Sequence, residues 1–131
     1  MTTTTQTIQR RAATGRTAFA ALAAVLLVAI AAEALTRSTG YWQIVAFGFA
    51  PDLALFYGAG RGLAPGQIHP RAVGLYNLLH RFGGPIALSI LAGLGPLSVG
   101  FLIGALTWAF HIALDRALGY GLRTRDGFQR P

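Results

Sequence analysis

The sequence predicts an all-α membrane protein, a bundle of four transmembrane helices whose two termini both face the cytoplasm. Of its 131 residues, 53% are hydrophobic and only 11% are charged, and the mean hydropathy is +0.51. Whole segments are apolar on every side, whereas a surface helix of a soluble protein keeps a polar face. The basic residues are all arginines. Most of them lie in segments that would face the same side of a membrane if the apolar segments span it, as expected for cytoplasmic loops.

The first span is predicted at about 17–35, which is close to the roughly 20 residues needed to cross a bilayer. Residues 1–16 before it are Thr-rich and polar, which favours a disordered cytoplasmic tail. A cleaved secretory signal peptide is the alternative, because arginines precede the apolar run and Ala32-Glu33-Ala34 has the small-x-small pattern of a cleavage site. The apolar run exceeds the usual signal length of about 7–15 residues, so an anchor is favoured.

Three further spans are predicted at about 41–58, 71–94 and 97–118. Pro51 removes a backbone hydrogen bond within the second span and predicts a kink there. Gly83, Gly84 and Pro85 are expected to divide the third span into two half-helices. Gly119 fits a helix C-cap after the fourth span, and residues 119–131 then form a polar cytoplasmic tail.

The arginine distribution predicts the orientation of the spans. Arginines precede span one, lie between spans two and three, and follow span four, whereas the opposite side carries Arg37 alone. This asymmetry predicts a multi-pass protein with both termini in the cytoplasm and with membrane lipids as partners. Nucleic acid is not an expected partner, because no basic stripe is interleaved with aromatic residues. A chain this small is also expected to form a homo-oligomer, although the sequence identifies no interface.

Ionisable residues within the predicted spans indicate a functional site, because charges are costly inside a bilayer. At 1.5 Å per helical residue, three spans bring such groups to the cytoplasmic half of the membrane. These groups are Asp52, His80, His111 and Asp115.

Carboxylate and imidazole are ligands of Zn, Mn and Fe, so Asp52, His80 and His111 are the candidate ligands of a divalent metal. Asp115 lies four residues after His111 and is predicted to orient that imidazole or to act with it as the catalytic base. Tyr76 and Asn77 share a helix face with His80 and are predicted to form the polar lining of the site. Two alternatives stay open. The same groups can serve as interhelical hydrogen bonds, with Arg81 neutralising one of the carboxylates, or as a path for ions or small solutes.

The residues from Phe49 to Phe128 resemble a family of small bacterial membrane proteins, the domain-of-unknown-function family 4260. The resemblance rests on the following pieces of sequence: Ala50-Pro-Asp-Leu53, Tyr76-Asn77 with His80, Trp108 with His111, Asp115-Arg116, Gly119-Tyr-Gly-Leu122 and Gly127-Phe128. It implies a multi-helix protein of the bacterial inner (plasma) membrane and no established activity.

A looser likeness is to membrane-bound metal-dependent hydrolase-like proteins. It rests on Pro51-Asp-Leu53, His80-Arg81 and the pair His111 and Asp115. The likeness implies a hydrolase-like metal site. This chain has Phe82-Gly-Gly where those proteins have Thr-His-Ser, so the sequence leaves open whether it is an enzyme.

Overall fold

The computed structural model describes residues 2–130 and confirms the predicted all-α class, since no strand occurs in that range. The helices are α1 (Thr2–Arg37), α2 (Tyr41–Phe49), a 3-10 turn (Ala50–Asp52), α3 (Leu53–Tyr57), α4 (Pro70–Leu79), α5 (Gly83–Gly93) and α6 (Val99–Leu118). Two of them, α1 over Thr4–Arg37 and α6, are long and apolar enough to cross a membrane. Helix α5 is apolar but has only 11 residues.

Helix α1 begins much earlier than predicted, because residues 2–16, expected to be a disordered tail, are helical. Gln, Arg and Ala in this stretch have good intrinsic helix propensity. The hydroxyls of Thr14 and Thr17 donate to the carbonyls four residues earlier, so these polar side chains are accommodated within the helix. Residue 1 lies outside the described part of the chain.

Helix α6 is central, with α1, α2 and α5 packed against it. Glycines allow these helices to approach closely. A Cβ atom at Gly104 would overlap the ring of Phe47 on α2, and one at Gly84 on α5 would overlap the Trp108 indole. Small residues at helix contacts have this role in membrane bundles, where close packing is a main source of association.

The predicted kink at Pro51 takes the form of the 3-10 turn between α2 and α3. Proline has no N–H for a helical hydrogen bond, so the α-helical ladder cannot continue unchanged through this position. Asp52 is the last residue of the turn, and its carboxylate therefore comes from the interruption between two helices rather than from a helix interior.

The break between α4 and α5 also follows the prediction, with His80 at the end of α4. Breaking a helix leaves carbonyl groups that need new partners, especially in apolar surroundings. Trp108 Nε1 donates to the Leu79 carbonyl at 2.7 Å, and Arg116 Nη2 donates to the His80 carbonyl at 2.9 Å. Helix α6 therefore supplies the side chains that fix the backbone at His80.

Residues 120–130, here called the C-terminal segment, are packed against the bundle, where the sequence predicted only a polar tail. Gly119, with φ +95°, caps α6 as predicted, and Tyr120 N–H donates to the Asp115 carbonyl at 2.8 Å. The chain then turns back, and Ile68 N–H donates to the Gly127 carbonyl at 3.1 Å. The segment thus joins the loop between α3 and α4 at one end of the bundle; residue 131 lies outside the described range.

Candidate metal centre

Four ionisable side chains from three parts of the chain converge beside α6. Asp52 comes from the 3-10 turn and His80 from the end of α4. His111 and Asp115 lie one turn apart on α6, on the same face. One ligand atom from each of the four residues lies within 4.8 Å of the other three. The structure therefore brings together all four groups that the sequence placed at one depth.

Five of the six distances between these atoms match those of a tetrahedral metal site. His80 Nε2 lies 3.4 Å from His111 Nε2, 3.6 Å from Asp52 Oδ1 and 3.5 Å from Asp115 Oδ2. His111 Nε2 lies 3.5 Å from the same Asp52 atom and 3.6 Å from the same Asp115 atom. Ligands at zinc distances in a regular tetrahedron are separated by about 3.3–3.6 Å, so one ion could contact both imidazole nitrogens together with either carboxylate. The two carboxylate oxygens lie within 4.8 Å of each other.

The outer nitrogens of the two imidazoles are held by backbone carbonyls. His80 Nδ1 lies 2.8 Å from the Tyr76 carbonyl, and His111 Nδ1 lies 2.9 Å from the Gly48 carbonyl. A carbonyl oxygen only accepts, so each Nδ1 must carry the proton and donate it. In a neutral imidazole this leaves the Nε2 lone pair facing the centre, which is the usual arrangement of a metal-binding histidine.

Direct hydrogen bonds account poorly for the cluster. Contacts of 3.4–3.6 Å between the four atoms exceed the usual 2.7–3.2 Å of an N–H···O hydrogen bond. With both Nδ1 atoms protonated, neutral imidazoles would direct two lone pairs and two carboxylates at one another. That arrangement is repulsive unless a cation or added protons occupy the middle.

The four side chains differ in their access to the surroundings. The side chain of His80 is 1% exposed and that of His111 is 11% exposed, whereas those of Asp115 and Asp52 are 20% and 43% exposed. A cavity of about 300 Å³ reaches the carboxylates. It is lined by Asp52, Leu55, Tyr76, Asp115, Tyr120, Arg123 and Gln129. The centre is therefore approached from its carboxylate side, while the imidazoles form its inner wall.

The other predicted site residues support the centre from outside it. Tyr76 stacks on His80, with ring centroids 3.9 Å apart, and lines the cavity. Asn77 instead holds the C-terminal segment, because its side chain donates to the Arg123 carbonyl and accepts from the Arg123 N–H. Arg81 is exposed and forms no ion pair within residues 2–130, so it does not neutralise a carboxylate as expected. At the break, the His80 carbonyl accepts from Arg116 instead.

Sequence reasoning missed Arg123 and Gln129, which line the cavity from the C-terminal segment. Both lie in a polar stretch that has no helical periodicity. Gly127 was the available signal, since glycine is favoured where the backbone turns through a positive φ. Gly127 does adopt φ +94°.

The fold and site define an all-helical protein with a two-histidine, two-aspartate centre beside its central helix. The chain belongs to the family described as "Domain of unknown function (DUF4260)", whose model matches residues 18–131. The predicted resemblance is thereby confirmed, and it extends N-terminally to include most of α1. No curated protein and no solved structure matches the chain. The looser likeness to hydrolase-like proteins stays a prediction.

Proposed function

We propose that this protein is a multi-pass membrane protein that binds one divalent metal ion through Asp52, His80, His111 and Asp115 and uses it in hydrolase-like chemistry. The observation that carries the proposal is the convergence of the four ligand atoms within 4.8 Å, with five of their six separations at the spacing of a tetrahedral site. The two carboxylates would balance the charge of a divalent ion inside a largely apolar bundle. Zn is favoured over Mn and Fe because it prefers this coordination number and mixed nitrogen and oxygen ligands.

Hydrolysis would require an open coordination position, which catalytic zinc sites normally keep. Asp52 is the ligand best placed to provide it, because it is the most exposed of the four and comes from a short turn. Displaced from the ion, its carboxylate would face the cavity and accept a proton from an attacking water. A divalent ion at this position would supply Lewis-acid chemistry and an activated water.

Metal analysis of the purified protein in mild detergent tests this proposal. We expect about one Zn per chain after dialysis against metal-free buffer, and loss of that metal on treatment with a strong chelator. Hydrolysis of p-nitrophenyl acetate and p-nitrophenyl phosphate, measured before and after chelation and on adding Zn back, tests the reaction class. A metal-free protein with unchanged stability in chelator would favour interhelical polar contacts instead.

The proposed membrane placement has four spans, with α2 and α3 together forming the second span and α4 and α5 the third. Large apolar side chains are exposed on the bundle, among them Val28 of α1 (69% exposed), Phe49 of α2 (70%) and Leu94 just after α5 (78%). Such surface is costly in water and favourable in lipid. Arg16 donates to the carbonyls of Ala117 and Leu118, which puts one end of the apolar part of α1 beside the arginine-rich C-terminal segment. This end is proposed to face the cytoplasm of a bacterial cell.

Single cysteines introduced into the chain, which has none, test this orientation. We expect Ser38→Cys, in the turn after α1, to react with a membrane-impermeant maleimide added to intact spheroplasts. Arg125→Cys, exposed in the C-terminal segment, should react only after the membrane is opened. Labelling of Arg125→Cys in sealed spheroplasts would contradict a cytoplasmic C-terminus, and its equal labelling in detergent controls for reactivity.

A further inference from the structure

The C-terminal segment brings a buried arginine to the cavity beside the metal centre. Arg123 is 8% exposed, and its Nε atom is buried without a hydrogen-bond partner. Its Nη1 donates to the carbonyls of Gly66 and Gly127, at 2.6 and 3.1 Å. These acceptors are neutral, and Arg123 forms no ion pair within residues 2–130. A buried guanidinium without a counter-ion is rare and costly, so we expect an anion to bind beside Arg123.

Arg123 lies near the proposed metal centre, because the Tyr76 ring contacts both Arg123 and His80. The guanidinium carbon lies 5.0 Å from the centroid of the Tyr76 ring, and that ring stacks on His80. Arg123 and the carboxylates of Asp52 and Asp115 line the same cavity of about 300 Å³. This volume is at the lower end for small-molecule sites, which suits a compact polar group.

The charges around the cavity favour a dianion. Asp52 and Asp115 would balance a divalent ion, which leaves the guanidiniums of Arg116 and Arg123 uncompensated. Arg116 also donates to neutral acceptors, the carbonyls of His80 and Tyr120, and forms no ion pair in the described chain. A phosphate monoester carries close to two negative charges at neutral pH, whereas a carboxylate carries one.

We therefore propose that the cavity binds the phosphate group of a phosphate monoester, held between the metal centre on one side and Arg123 on the other. This inference rests on the proposed metal site. Arginine is suited to the role because its planar fork matches the oxygen atoms of phosphate. Arg123 is then the residue that selects an anionic substrate, while the Asp and His residues hold the ion.

The phosphate can belong to a soluble ester or to a lipid headgroup. A second cavity, of about 360 Å³, adjoins His111 and is mainly apolar, with Leu27, Ile30 and Phe110 in its lining. An acyl chain would suit that surface. The phosphate chemistry is the same for both sources, and the experiment below separates them.

The test measures phosphate binding to the Zn-loaded, desalted protein in detergent by calorimetry. The probes are phenyl phosphate and dihexanoyl phosphatidic acid, and metal content is determined on every sample. We expect the wild-type protein to bind at least one probe and Arg123→Gln to bind it about tenfold or more weakly, with its metal retained. Arg125→Gln, an exposed arginine two residues away, should bind like the wild type. Tighter binding of the lipid would identify a headgroup source, and equal binding a soluble ester.

Gln129→Glu is the second variant, because Arg123→Gln also removes hydrogen bonds that hold the segment. Gln129 Oε1 accepts from the Gly121 N–H at 2.8 Å, which a carboxylate oxygen can also do. The added negative charge in the cavity should weaken phosphate binding about tenfold or more while leaving Arg123 in place. Wild-type binding by Gln129→Glu, or no binding of either probe by the metal-loaded wild type, would overturn the phosphate inference and leave the metal site standing. A wild-type protein without metal would overturn both.

Discussion

Replacing His80 with alanine is expected to weaken metal binding by about 100-fold or more, so that the variant is purified with little metal. Loss of a residue that merely orients a metal ligand already costs about 10–100-fold, and His80 is proposed as a ligand. The variant should also lose the stabilisation that the wild-type protein gains from added Zn, because a ligand stabilises only the state that binds it. Elemental analysis and thermal unfolding with and without Zn measure the two effects.

The third histidine of the chain provides the matched control for this experiment. His69 lies outside the centre, at the N-cap of α4, where its Nδ1 accepts from the Arg71 N–H. His69→Asn keeps a side-chain acceptor for that cap and should retain the full metal content. Because His80 is buried, its loss also leaves a void, and the more exposed ligand Asp52 offers a milder variant, Asp52→Asn. Full metal content in both His80→Ala and Asp52→Asn would exclude the proposed ligand set.

Much of the centre is accessible from the sequence because helical spacing and membrane depth constrain it. His111 and Asp115 share a face of α6 by their spacing of four residues, and Pro51 marks the interruption that carries Asp52. Depth alone places His80 at the same level. Depth does not fix the rotation of one helix against another. The sequence therefore could not predict that the Nε2 atoms of His80 and His111 lie 3.4 Å apart, which only the structure shows.

The roles within the centre were harder to predict than its members. The sequence suggested that Asp115 orients His111, because the two residues are one turn apart. In the structure the Nδ1 of His111 contacts the Gly48 carbonyl of α2, and Asp115 faces the Nε2 side. A backbone carbonyl from another helix is not visible in a sequence pattern, since every residue has one. Asp115 is thereby placed as a fourth metal-ligand candidate.

The packing of the C-terminal segment could not be predicted either, because its partners lie far away in the sequence. Its fold depends on contacts between residues 57 to 59 positions apart in the chain, such as Arg123 with Gly66 and Asp126 with Gln67. Local propensity in a short polar stretch says nothing of such partners. The packing of this segment matters because it supplies Arg123 and Gln129 to the cavity. A stretch that appears to be a solvated tail is thus one wall of the candidate site.

Gly127→Ala is expected to detach the C-terminal segment from the bundle. Gly127 has φ +94°, and a Cβ atom there would overlap the carbonyl oxygen of Ile68, which belongs to the backbone and has little freedom to move. The positive φ alone costs about 1–2 kcal/mol for a residue with a Cβ atom. With the overlap, we expect about 3 kcal/mol or more of local destabilisation. Cleavage by trypsin after Arg123 should then be about 100-fold faster, since it follows the open population.

Gly62→Ala is the control that has a positive φ without the overlap, so it separates these two causes of destabilisation. Gly62 also has a positive φ, of +76°, but no atom lies within 4 Å of the position that its Cβ would occupy. It should therefore show the conformational cost of about 1–2 kcal/mol without the overlap. If Gly127→Ala were no more sensitive to trypsin than Gly62→Ala, the contact between Gly127 and Ile68 would not hold the segment. In the expected case Gly127→Ala also loses phosphate binding while its Asp and His ligands retain the metal, because Arg123 leaves the cavity with the segment.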